Sequence, residues 1–178
     1  MTSLIRNLAR SSPNTILQAG LLSTLVTGDP LGATFTGGAF VLSELLNRLL
    51  KFAFVKASPD NDSFKRPSPP PDGCGNYGMA YPKETSGMPS GHSQLVAFTA
   101  VFWLLYVHKY STMSKNGKIA STVLIICLAI GVMISRYTEG CHSVLQILVG
   151  DGIGAILGAL FFLVLDKQNF FANAKKSR

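Results

Sequence analysis

The stretch Gly87-Met88-Pro89-Ser90-Gly91-His92-Ser93-Gln94 closes a polar, proline-rich loop and opens the apolar run 95–107. Proline does not fit inside a helix and serine is a good N-cap, so the spacing predicts a helix beginning at Ser90. Gly91, His92 and Ser93 then fall in its first turn, where backbone N–H groups without intrahelical acceptors and the helix dipole favour an anion. The glycine lets that anion approach closely, and the histidine can hand a proton to a group leaving it. A capping serine and a first-turn histidine are equally common in ordinary helices, so the rest of the chain has to decide.

Charge is scarce outside that stretch. Hydrophobic residues make up 47% and charged residues 14%, and mean hydropathy is positive. A net charge of +7 suits nucleic acid in principle. Here, though, the basic residues flank apolar runs and form no stripe with aromatics between them, which points to membrane topology and to no nucleic-acid partner. The length suits a single domain over 1–178, with an N-terminal segment 1–30, an irregular loop 56–88 and a basic tail 167–178. The polar stretch 1–13, with Arg6 and Arg10, does not read as a cleavable signal peptide.

Four apolar segments (31–55, 91–108, 119–134 and 144–165) are candidates to span about 30 Å of hydrocarbon. The shorter run 16–26, ending in Gly28-Asp29-Pro30, fits either a fifth span or a surface helix. The expected fold is therefore all-α, a polytopic membrane bundle of four to five transmembrane helices. No internal repeat is visible. Gly150, Gly154 and Gly158 share one helix face, which predicts close packing inside the molecule, with dimerisation as the alternative. Asp151 and Glu44 lie at membrane depth and are expected to find polar partners in the bundle interior. Pro59, Pro67, Pro69, Pro70, Pro71 and Pro82 exclude regular structure over most of 56–88. Cys74, Cys127 and Cys141 have no metal-type spacing; Cys74 and Cys141 could meet in a loop region, but the favoured reading leaves them unpaired.

Alternating helices put the end of the first segment, the start of the second, the end of the third and the start of the fourth on one side. Lys51, Arg66, Ser90, His92, Arg136 and His142 are thereby expected to face one pool. Fixed cations, helix N-terminal amides and two histidines make a phosphate-binding and phosphoryl-transfer set. The other side carries Lys109, Lys115, Lys118, Lys167, Lys175, Lys176 and Arg178 against Asp166. By the positive-inside rule the site faces away from the cytosol, and His108 reads as an interfacial residue on the cytosolic side.

The set Lys…Arg66-Pro67, Pro89-Ser90-Gly91-His92 and Ser135-Arg136…His142 resembles the three signature motifs of the phosphatidic acid phosphatase type 2 superfamily, whose helical bundle is shared with vanadium haloperoxidases. The resemblance implies hydrolysis of a phosphate ester or anhydride without metal or other cofactor. It makes His142 the nucleophile that forms a phosphohistidine and His92 the group that protonates the leaving group. Lys51, Arg66, Arg136 and the Ser90, Gly91 and His92 turn would hold the phosphate oxygens. Two positions depart from the pattern. The family spacing would put the first-motif lysine at position 59, which is Pro59. Glu44, Asn47 and Lys51 resemble the stretch before that lysine in dolichyl diphosphatases, so Lys51 is the choice, with Lys56 and Lys65 as alternatives. The usual third-motif Asp is Gln146 here, as in dolichyl diphosphatases. Gln146 stands four residues after His142, so the two side chains can meet on one helix face, where its carbonyl would fix the imidazole tautomer; the alternative is a packing amide.

The resemblance thus implies a multi-pass enzyme of the endoplasmic reticulum membrane, acting on a polyprenyl (dolichyl-type) diphosphate. The alternatives are a phosphatidate or sphingoid-base phosphate phosphatase, and a non-catalytic membrane protein of the same fold. Its partners are the bilayer and a lipid phosphate or diphosphate substrate; the oligomeric state is left open.

Overall fold

The computed structural model describes residues 3–57, 61–68, 74 and 86–172. The middle of the proline-rich loop, with Pro59, Asp72 and Lys83, lies outside the described residues, as do Lys175, Lys176 and Arg178 of the basic tail. All regular structure among the described residues is helical: α1 (Ser3–Thr27), α2 (Pro30–Ala39), α3 (Leu46–Ala57), α4 (Gly91–Lys109), α5 (Lys115–Thr138) and α6 (Val144–Lys167). A π-helical segment, Phe40–Leu45, joins α2 to α3, and a short 3-10 turn covers Asp62–Phe64.

The helix starts follow from local chemistry. Ser90 caps α4, its hydroxyl accepting from the Ser93 N–H. Ser143 and Gln146 form a capping box on α6. Asp29 caps α2, accepting from the Leu31 N–H at 2.9 Å, with Pro30 at the first helical position. The first helix departs from expectation. The apolar run 16–26 is only its second half, because the polar stretch before it is helical too. Pro13 removes one donor from α1, and the Ser12 hydroxyl supplies the Ala9 carbonyl instead, at 2.9 Å. Arg10 is buried among polar partners from elsewhere in the fold.

α4 is the central element and packs most extensively on α6. Gly150, Gly154 and Gly158 lie on the backbone of Ser90, Gln94 and Phe98 in turn, so the two helices run parallel and start at the same end. A Cβ at Gly154 would overlap the Gln94 carbonyl oxygen. The glycine stripe therefore serves internal packing, and dimerisation is not needed to explain it. Gly154→Leu is expected to lower stability by about 3 kcal/mol or more through this overlap. Gly152→Ala, where a Cβ meets nothing within 4 Å, should melt like the unaltered protein. Equal thermal midpoints for the two variants in detergent would remove the packing argument. Away from the glycines the core is aromatic, with Phe35, Phe98, Phe102, Phe162 and Phe171 buried against Trp103 and Tyr106.

Among the described residues two helices, α5 and α6, are long and apolar enough to cross a membrane, where four to five were expected. The reason is where the polar groups lie. The segment 31–55 is broken by the π-helical segment and carries Glu44, Asn47, Arg48 and Lys51, while α4 is largely enclosed by the others and brings Gln94 with it. α5 and α6 expose Ile119, Val123, Leu124, Leu128, Ile156, Leu160 and Leu163 along their outer faces. Such apolar surface fits lipid and not water, and with the length of these two helices it marks a membrane protein. Asp151 is half-buried and has no hydrogen-bond partner among the described residues, contrary to expectation. Glu44 lies within electrostatic reach of Arg48 and Lys51. Cys74 and Cys141 form a disulfide, against the reading that left them unpaired. It ties the proline-rich loop to the turn before α6.

Candidate active site

The parallel start of α4 and α6, together with the end of α5, brings Ser90, His92, Arg136 and His142 to one end of the bundle. Segment 61–68 docks beside them: the Ser68 N–H donates to the Gly140 carbonyl at 3.0 Å, and a Cβ on Gly140 (φ +68°) would run into Ser68. Arg66 arrives with that segment.

His142 is buried, and its ring is fixed from both sides. Arg66 Nη1 lies 3.2 Å from Nε2. Arginine only donates, so Nε2 must be the lone-pair nitrogen and Nδ1 carries the proton. Nδ1 lies 3.2 Å from Gln146 Oε1. The orientation of that amide is independently set, because Gln146 Nε2 donates to the carbonyls of Ser63 at 2.9 Å and Lys65 at 2.7 Å. Only the oxygen is left to face the imidazole. Burial, followed by the charges of Arg66, Lys51 and His92, holds His142 well below the usual histidine range. The result is a neutral imidazole with a fixed tautomer.

His92 has the opposite attachment. Its Nε2 lies 3.0 Å from the Arg10 backbone carbonyl, which only accepts, so Nε2 donates and Nδ1 is the nitrogen able to exchange a proton with a ligand. His92 lies within electrostatic reach of Arg136, Arg66 and Lys51. Lys51 reaches the site from α3, donating from Nζ to the Ser86 carbonyl at 3.0 Å. The other candidate lysines do not: Lys65 pairs with Asp62 in an exposed ion pair at 2.8 Å, and Lys56 is exposed.

Arg136 is fully buried. Its Nε donates to Ser135 Oγ at 3.2 Å and its Nη1 to the Cys74 carbonyl at 3.5 Å. Nη2 approaches Glu139 Oε1 at 3.0 Å, an ion pair whose angle falls outside hydrogen-bond geometry. Ser90 is fully buried too, with its N–H given to the Gln146 carbonyl at 3.0 Å and its hydroxyl used in the cap. The N–H groups of Gly91 and His92, first in α4, have no intrahelical acceptor and no backbone partner among the described residues.

Reading the sequence missed Arg10 and Glu139. Arg10 lies in the polar stretch 1–13, and the signal available for Glu139 is a carboxylate three residues after Arg136, on one helical turn. It also missed the clamp behind α4, where Asn47 Nδ2 donates to Gln94 Oε1 at 2.8 Å and Gln94 Nε2 to the Ser43 carbonyl at 3.0 Å.

A family model, the PAP2 superfamily, matches residues 32–170. The chain belongs to the PAP2 superfamily. Among curated relatives it is similar to Dolichyldiphosphatase 1 of Dictyostelium discoideum, 36% identical over 86 residues, which covers 47% of this chain and 38% of that one. It is 26% identical over 156 residues to Lipid phosphate phosphatase gamma of Arabidopsis thaliana, covering 86% of this chain and 62% of the relative. It is 23% identical over 155 residues to the Dolichyldiphosphatase of Saccharomyces cerevisiae, covering 84% and 59%. In each case the chain spans less than two thirds of the relative's length. No solved structure matches it.

Proposed function

We propose that the protein is a membrane lipid phosphatase that converts a polyprenyl diphosphate to the monophosphate and inorganic phosphate. The observation that carries this reading is the doubly fixed tautomer of His142, whose unprotonated Nε2 faces Arg66 Nη1 with Lys51 within electrostatic reach. Similarity to two proteins named dolichyldiphosphatase favours the diphosphate. Lipid phosphate phosphatase gamma matches over more of the chain, which favours a phosphate monoester as the second reading.

In the proposed reaction His142 Nε2 attacks the terminal phosphorus. The N–P bond forms as the bond from phosphorus to the bridging oxygen breaks, and the electron pair leaves with the polyprenyl monophosphate. His92 Nδ1 protonates that oxygen. Water then attacks the phosphohistidine, His92 takes its proton, the N–P bond breaks and inorganic phosphate is released. Arg66, Arg136, Lys51 and the N–H groups of Gly91 and His92 balance the charge spread over the equatorial oxygens. Ser90 contributes by holding α4 in register with α6, its N–H donating to the Gln146 carbonyl and its hydroxyl accepting from Ser93. Arg66 Nη1, which now covers the nucleophile's lone pair, is well placed to turn onto a phosphate oxygen.

Phosphate release by detergent-purified protein tests this, with a polyprenyl diphosphate, a phosphatidate and a sphingoid-base phosphate compared in the presence of EDTA. The diphosphate is expected to give the highest kcat/KM. Preference for a monoester would move the assignment to the second reading, and no release from any of them would favour a non-catalytic member of the family.

The endoplasmic reticulum and a site facing away from the cytosol belong to the same proposal. A disulfide at the site end suits an oxidising compartment, and Lys109, Lys115, Lys118 and Lys167 gather at the other end. A glycosylation sequon engineered into the 110–114 connection should stay unmodified in microsomes, whereas one engineered near Asn76 should be glycosylated. The reverse pattern inverts the orientation.

A further inference from the structure

We propose that Arg10 and Glu139 are positioning residues for the phosphoryl-transfer site, so that the first helix, which lies outside the matched residues 32–170, sets both Arg136 and His92. This rests on the phosphatase reading above. The Glu139 carboxylate is shared: Oε2 accepts from Arg10 Nε at 2.8 Å, and Oε1 lies 3.0 Å from Arg136 Nη2. All three side chains are almost wholly excluded from water, at 7% exposure for Arg10, 6% for Glu139 and 0% for Arg136. Two guanidiniums buried side by side repel, and a carboxylate between them removes that repulsion and fixes where each plane points. The backbone of the same residue 10 meets the other half of the site, its carbonyl accepting from His92 Nε2 at 3.0 Å. One turn of α1 thus holds a phosphate-facing cation through Glu139, and the proton donor directly.

Neither Arg10 nor Glu139 has its side chain on the histidine that would attack phosphorus, so both act through others. Arg136 counts most where charge spreads over the equatorial oxygens, so a small tilt of its plane should weaken the transition state more than the bound substrate. Removing Glu139's charge should therefore lower kcat and the affinity for orthovanadate, which mimics the five-coordinate phosphorus, while leaving KM nearly alone.

The full chain in detergent carries the test, as Glu139→Gln, Arg10→Gln, Arg10→Lys and the Glu139→Gln/Arg10→Gln double variant. Polyprenyl diphosphate turnover, vanadate inhibition and thermal midpoint are read for each. Glu139→Gln is expected to lower kcat about 100-fold, with a parallel rise in the vanadate inhibition constant and KM within about threefold. Arg10→Gln should lose about tenfold and Arg10→Lys should recover most of it, because a cation again faces the Glu139 carboxylate. The double variant should be no worse than Glu139→Gln, since both changes act on one guanidinium. Losses that multiply, or a lowered midpoint with kcat per folded molecule unchanged, would overturn the assignment. If Glu139→Gln does not fold, the two Arg10 variants decide: equal kcat in both, at the unaltered value, overturns it. An unaltered protein that turns over none of the three lipids and binds no vanadate would sink the phosphatase reading and this inference together. Normal turnover there with an unaffected Glu139→Gln sinks the inference alone.

Discussion

Replacing His142 with alanine is expected to bring phosphate release to background, a loss on the order of 10⁴-fold or more, and to abolish any acid-labile phosphoenzyme. His92 is held through Nε2 by the Arg10 carbonyl, a placement that suits proton transfer and does not put it where His142 stands. His92→Ala should lose most turnover yet recover in part on a substrate whose leaving group needs no proton, because that variant keeps the nucleophile. Normal turnover in His142→Ala would rule out the proposed mechanism. The pH dependence has a definite sign. The folded pKa of His142 lies well below its ordinary value, so the unfolded chain binds a proton there at a pH where the folded protein does not. The stability contributed by the neutral ring is present above the usual histidine range and is lost as pH falls from that range down through the depressed folded pKa. His142→Ala should flatten this part of a plot of thermal midpoint against pH, and an unchanged slope would mean that other groups set it. The acid limb of kcat/KM should likewise lie below the usual histidine range if His142 controls it.

The site was easier to read in the sequence than the helices that carry it. Alternation of apolar segments is enough to bring Arg66, His92, Arg136 and His142 to one end, because the direction of each helix matters there and not its composition. The spans were harder to count, because a polar residue inside a bundle and one facing water look alike in a sequence. Asn47 and Gln94 satisfy each other across two helices, and no local pattern announces that pairing. Arg10 shows the same limit more sharply. Next to Pro13 it resembles an unstructured end, and only a carboxylate far along the chain, at Glu139, makes its burial possible. The disulfide was disfavoured for a related reason. Cys74 and Cys141 are 67 residues apart, and only the docking of the loop onto the turn before α6 brings them together. The glycine stripe, by contrast, was legible at once, since three small residues on one face have few uses other than letting a second backbone come close.

Gln146→Leu is expected to lower kcat about 100-fold or more with a smaller effect on KM, the second large loss after that of His142→Ala. Considered only as an acceptor for His142 Nδ1, this position would tolerate a carboxylate, and Gln146→Glu would be expected to keep much of its activity. The other end of the amide changes that expectation. Gln146 Nε2 donates to the carbonyls of Ser63 and Lys65, and so pins the segment that delivers Arg66. A carboxylate has no donor for either carbonyl and would push both away. Gln146→Glu should therefore keep the His142 tautomer but displace Arg66, raising KM as well as lowering kcat, whereas Gln146→Leu frees the imidazole and the loop together. The pairing with Arg66 gives the decisive comparison. If Gln146 acts partly through the loop, Arg66→Lys in the Gln146→Glu background should cost less than it does alone, because Arg66 is already displaced. Full activity in Gln146→Leu would reduce this residue to a packing amide, and an unshifted KM in Gln146→Glu would show that the loop does not depend on it.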